Sequence, residues 1–257
     1  MRDLSDDHEL AARLATEAGD LLVDLRRELI DDGLDPRELK DRGDHASHEW
    51  LTAALADARP HDEVLSEEAT VDEARNSERL GSERVWIIDP VDGTREFSEG
   101  RTDWAVHVAL AIGGQPVVGA VSLPGTGEVF STGSPVEIPA APPRLRVVVS
   151  RTRPPEEALA IADALGAELV EMGSAGAKTM SILRGEADIY PHSGGQYEWD
   201  SCAPVAVASA AGLHCSRLDG SALAYNQPDT YLPDLLVCRP EHARSVIRAA
   251  RARRQTP

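Results

Sequence analysis

Lysine is almost missing from this 257-residue chain: Lys40 and Lys178 stand alone among 24 arginines. Positive charge as a whole is scarce, 26 basic against 44 acidic residues, for a formal net charge of -18. No broad cationic track exists to neutralise a polyphosphate backbone, so composition argues against a nucleic-acid reader. The three cysteines, Cys202, Cys215 and Cys238, are widely spaced and form no CxxC pair. That excludes a disulfide framework and a structural zinc site, leaving buried free thiols as the expectation. No stretch of about 18 uncharged apolar residues occurs, and the start lacks a basic segment running into an apolar one. The expectation is a soluble cytoplasmic protein without membrane contact, long enough to bury its own core.

What is present is periodicity. Leu10, Leu14, Ala18, Leu21, Leu22, Leu25 and Leu29 recur at helical spacing, predicting an amphipathic helix from Leu4 to Ile30 that stops near Gly33 and Pro36. A second helix is expected from Asp44, as its cap, to Arg59. Short strand-like runs follow at Glu63 to Leu65, Val85 to Ile88, Ala105 to Ile112, Val117 to Leu123 and Glu128 to Ser131. They suggest a largely antiparallel sheet covered on one face. The proline-rich stretch Thr132 to Arg144 reads as a linker, dividing the chain into residues 1–140 and 141–257.

Beyond it strands and helices alternate. Strands are expected at Leu145 to Ser150, near Leu169, at Ala187 to Tyr190 and near His214 and Leu235. Helices are expected at Pro155 to Leu165, Ala175 to Arg184, Asp200 to Ala211 and Glu241 to Arg251, giving an α/β unit.

One stretch, "VWIIDPVDGTREFSEG" from Val85 to Gly100, carries the chemistry. It ends an apolar strand on two aspartates three residues apart. Carboxylates forced together repel and lose hydration unless a cation sits between them. Pro90 and Gly93 let Asp89 and Asp92 face one point and turn the Val91 carbonyl inward. An all-oxygen donor set favours magnesium or manganese. Gly93 and Thr94 then open a turn whose free N–H groups suit a phosphate. Glu67 and Glu68 end another short apolar run, and Asp200 opens a helix. Alone, these would read as a solvated turn and a helix cap.

Taken together, "EE", "WIIDPVDGT" and "EWDSCAP" resemble, in order, the three signatures of the inositol monophosphatase superfamily of metal-dependent, lithium-sensitive phosphatases. The resemblance spans nearly the whole chain and implies a layered α/β/α/β/α sandwich with its site where two halves meet. It places metal ligation on Glu67, Asp89, the Val91 carbonyl, Asp92 and Asp200, with two or three Mg2+ and Mn2+ as a substitute. The family's usual glycine before the glutamate pair is Ser66 here. Asp44 and Thr94 match the pair that orients the attacking water, with Glu67 beside them in the catalytic set.

Within the superfamily, "GSAGAK", "EWDSCAP" and "VVVSRTR" look most like the CysQ-type 3'(2'),5'-bisphosphate nucleotidases, which implies hydrolysis of 3'-phosphoadenosine 5'-phosphate in sulfur assimilation. Substrate contacts then fall on Gly93, Thr94, Ser150, Arg153, Gly176, Lys178 and Asp200, with Arg151 an alternative to Arg153. His192 stands where inositol-selective members place a glutamate. An inositol-1-phosphate or fructose-1,6-bisphosphate phosphatase shares the same metal machinery and is the rival reading. A non-catalytic metal and nucleotide sensor is the remote one. Trp50, Trp86, Trp104 and Trp199 are expected in the core rather than as base platforms. A homodimer is common in the superfamily.

Overall fold

The computed structural model describes residues 3–31, 33, 35–70 and 76–254. Helix α1 (Ser5–Asp31) buries Leu10, Leu14, Ala18 and Leu22 along one stripe, as its spacing predicts. Helix α2 (Pro36–Ala58) begins eight residues before the expected cap. Asp35 accepts N–H bonds from Arg37 and Glu38 at 2.8 and 3.0 Å, and Glu38 reaches back to the Asp35 N–H. Pro36 therefore starts this helix, where its missing N–H costs nothing, rather than ending the preceding one. Asp44 lies two turns inside α2, half-buried, and caps nothing.

The first sheet is ordered β1 (Glu63–Ser66), β2 (Arg84–Asp92), β3 (Ala105–Ile112), β4 (Gln115–Leu123) and β5 (Glu128–Ser131). Only β1 and β2 run parallel. The short helices α3 (Ser77–Gly81) and α4 (Thr94–Ser98) flank β2.

The second sheet is ordered β7 (Glu168–Met172), β6 (Arg146–Ser150), β8 (Ile189–Tyr197), β10 (Tyr231–Cys238) and β9 (His214–Ser216). Its helices are α5 (Glu156–Leu165), α6 (Ala175–Leu183), α7 (Glu198–Ala210) and α8 (Pro240–Arg254).

Strand alternation sorts side chains into three cores. Trp86, Ile88, Val106 and Val108 pack on Leu14 and Leu22 of α1 and Leu51 and Leu55 of α2. Val85, Ile87 and Ala109 face the other way, onto Met180 and Ile182 of α6 and Cys202, Ala203 and Val207 of α7. The first sheet is thus covered on both faces, not on one as its strand pattern suggested.

Val148, Tyr190, Leu235 and Val237 of the second sheet close the same central core from the other side. Its outer face meets Ile161 of α5 and Val246 of α8. The result is the five-layer α/β/α/β/α sandwich. The three cysteines are free, two buried and Cys215 half-buried. Trp86, Trp104 and Trp199 are buried and Trp50 partly so. No helix among the described residues is long and apolar enough to cross a membrane.

Candidate active site

Asp89 and Asp92 are an odd number of residues apart, so a regular strand would point them to opposite faces. The register prevents this: Asp89 pairs with His107 and Asp92 with Ala105, three residues of β2 against two of β3. This β-bulge holds Pro90, whose missing N–H would interrupt a regular ladder. The extra residue returns both aspartates to one face. Ser47 of α2 fixes the bulge by donating to the Pro90 carbonyl at 2.9 Å. Gly93 follows at φ 85°, a left-handed turn that glycine makes without strain.

Asp200 arrives from the far side. It is the third residue of α7, not its cap; Tyr197 holds the cap position and donates its N–H to Asp200 Oδ2 at 2.7 Å. Carboxylate oxygens of Asp89, Asp92 and Asp200 lie within 4.8 Å of one another. They open with Glu67, Val91, Gly93 and Thr94 into a cleft of about 560 Å3. Thr94 Oγ1 donates to the Val91 carbonyl at 3.4 Å. Ser66, where the family pattern has glycine, is buried at the end of β1, its hydroxyl 2.9 Å from His48 Nδ1.

Electrostatics separates the two aspartates. Burial works against ionising Asp92, but His107 Nε2 stands 3.2 Å from its Oδ2, and the Ala175 and Gly176 N–H groups donate at 3.0 and 2.6 Å. Ser174 Oγ donates as well. Together with nearby Lys178 these hold Asp92 at about 2.

Asp89 has less company: the Val91 N–H donates to its Oδ1 at 3.1 Å, and His107 Nδ1 lies 4.0 Å from its Oδ2. Burial first, then Glu67 and Asp92, lifts it well above the carboxylate range. Burial and Asp92 raise Asp200 to about 7. Burial and the carboxylates of Glu68 and Glu67 raise Asp44 to about 8. Glu67 keeps some solvent contact, but the protein packed around it pushes it upward too. Such a cluster of hard oxygens, too crowded to ionise fully by itself, fits divalent cations.

The opposite wall comes from the second sheet: Ser150, Thr152, Arg153, Gly173, Ser174 and Lys178 line the same cleft. Arg151 is engaged elsewhere, bonding Glu96 at 3.2 Å and Asp103 at 2.5 Å. Arg153 is exposed and has no carboxylate partner among the described residues, so it is the cation of the pair left for a ligand. Lys178 is buried, and its Nζ donates to the Gly173 and Ser174 carbonyls at 3.2 and 2.7 Å. A third proton remains.

Gly176 does not line the cleft. A side chain there would lie 2.1 Å from His107 Nε2, so this glycine makes room for the histidine. His192 bonds the Tyr190 hydroxyl and the Gly194 carbonyl, and burial lowers its pKa to about 4.

His107 and Ser174 were missed in the sequence. His107 was visible as a polar residue inside the apolar run "AVHVALAI". Ser174 had no comparable signal; its role comes from φ 47°, an uncommon backbone angle that turns its hydroxyl onto Asp92.

Residues 3–255 match the inositol monophosphatase family. The chain is 49% identical over 252 residues to the 3'-phosphoadenosine 5'-phosphate phosphatase of Mycobacterium leprae, covering 92% of this chain and 90% of that one. The crystal structure of CysQ from Bacteroides thetaiotaomicron superposes with a TM-score of 0.75 at 26% identity, covering 91% of this chain and 97% of that one. Inositol monophosphatase II from Staphylococcus aureus gives a TM-score of 0.80 at 18% identity, over 99% and 98% of the two chains.

Proposed function

The chain belongs to the inositol monophosphatase family, and on that premise we propose that it removes the 3'-phosphate of 3'-phosphoadenosine 5'-phosphate, releasing AMP and inorganic phosphate. The observation that carries this reading is that an acidic cage and an unpaired arginine, Arg153, share one cleft. A substrate with phosphates at two ends meets opposite electrostatic needs at those two places. The half-identical mycobacterial relative is named for that activity.

Glu67, Asp89, Asp92, Asp200 and the Val91 carbonyl are assigned to Mg2+, two or three ions, with Mn2+ as a substitute. Bound there, divalent cations neutralise phosphoryl charge and make water a better nucleophile at neutral pH. The chain supplies the rest. Asp44 takes the proton of the attacking water, and the Thr94 hydroxyl orients that water. His107, Ser174 and the first N–H groups of α6 keep Asp92 anionic and still. Arg153, Ser150 and the third proton of Lys178 hold the 5'-phosphate.

The test is phosphate release from 3'-phosphoadenosine 5'-phosphate, inositol-1-phosphate and fructose-1,6-bisphosphate side by side, with Mg2+ and with EDTA. Activity that requires Mg2+ and prefers the nucleotide is the expected result. A preference for either sugar phosphate would overturn the roles of Arg153, Ser150 and Lys178 and leave the cage intact.

A further inference from the structure

The chain has four tryptophans, four tyrosines and two phenylalanines, and all but two are wholly or partly buried. The exceptions, Tyr197 and Tyr231, are 42% and 41% exposed and adjoin each other. They are opposed across β8 and β10, ring centroids 5.7 Å apart and planes at 77°. Tyr197 also lies flat on Trp199, centroids 5.0 Å apart and planes at 8°. Scattered exposed aromatics need no explanation, but a stacked pair edged by a third ring is an ordered platform.

Its position gives the platform a use. The Tyr197 N–H donates to Asp200 Oδ2 at 2.7 Å, so the platform's backbone touches a carboxylate of the cage. Three residues of helix separate them, about 4.5 Å of rise. Beside the platform, Gly194 and Gly195 leave open space where side chains would stand. The Gly195 N–H donates to the Tyr231 hydroxyl at 3.2 Å, which ties that ring to the glycine turn.

We propose that Tyr197, backed by Trp199 and edged by Tyr231, is the stacking platform for the purine base of the substrate and sets the preference for nucleotides over sugar phosphates. This rests on the nucleotide reading above. A polyol offers hydroxyls, which gain little from three aromatic rings; a purine offers a flat π-face, which stacks on them. Continuity with Asp200 favours this occupant over a second copy of the chain.

Binding separates the platform from the reaction. AMP and ribose 5-phosphate differ only by the base, and calorimetric titration of each in Mg2+ measures what the base contributes. Wild type is expected to bind AMP on the order of tenfold to a hundredfold more tightly, the range that base stacking supports. Tyr197→Ala is expected to erase most of that ratio, Tyr231→Ala to reduce it and Tyr197→Phe to keep it.

Equal affinity for the two ligands in wild type, or a ratio that survives Tyr197→Ala, overturns the platform. So does a Tyr197→Ala protein that dissociates from dimer to monomer with the ratio intact, which would assign the patch to a second copy. Failure to hydrolyse 3'-phosphoadenosine 5'-phosphate with the ratio present would instead sink the nucleotidase reading alone.

Discussion

Asp89 and Asp92 sit three residues apart on one strand, share a face and serve one cleft, yet they live in opposite surroundings. Asp92 is met by three hydrogen-bond donors and a histidine, all supplied by the protein. Asp89 is met mainly by other carboxylates, Glu67, Asp92 and Asp200. One half of the cage is therefore finished by folding, and the other is completed only by a cation. The finished half gives the site a fixed point. The unfinished half gives it affinity, because relief of repulsion is gained on binding.

The largest effect should come from Asp89→Asn. Loss of a cage charge is expected to lower kcat/KM by about a thousandfold, several kcal/mol of transition-state stabilisation. The metal-free protein should melt no lower than wild type, because burial and the neighbouring carboxylates already work against a charge on Asp89 there. Asp92→Asn should lower turnover by no more than Asp89→Asn does, but its metal-free stability should fall by about 3 kcal/mol, since donors and His107 lose a buried anion. Denaturant melts in EDTA check both. Equal stability losses in the two variants would break the comparison.

Acidity sharpens it next. Without a cation, Asp200 and Asp44 have folded-state pKa values of about 7 and about 8, against an unfolded value near ~4. Between those limits the folded chain binds more protons than the unfolded one, so stability falls as pH rises. Metal-free protein should lose melting temperature from about pH 5 to pH 8, and Mg2+ should flatten most of that slope. Glu198, raised to about 7 by burial, should leave a residue of it. Below about pH 4 the sign reverses, because the unfolded chain then takes up a proton at Asp92 that the folded chain, holding this carboxyl at about 2, does not.

The smallest effect separates two arginines. Arg153→Ala should raise KM for the bisphosphorylated nucleotide about tenfold, the loss of one charged hydrogen-bonding contact. Arg151→Ala should act mainly on stability, by unpairing Glu96 and Asp103. Steady-state kinetics beside thermal melts distinguish them.

Much of this was legible in the sequence where chemistry is local. "DPVDGT" announces crowded carboxylates and a turn within six residues. The register that turns Asp89 and Asp92 the same way was not legible, since a bulge is defined by the partner strand. The start of α2 was readable and passed over: Asp35, Pro36 and Glu38 form a complete capping signal, while Asp44 drew attention for its chemistry. The second covering of the first sheet was also written locally. From Ser201 to Ala208, α7 has no polar stripe for solvent, which marks a helix enclosed on all sides.

That enclosure has a mechanical consequence. Every residue of α6 is buried, and α6 and α7 contribute to one core with both sheets. Parting the sheets would strip these helices of apolar cover on one side or the other, so among the described residues the two sheets are held together by one shared core. The walls of the cleft are welded through its floor. The two halves of the chain should therefore lose structure together on heating rather than one after the other.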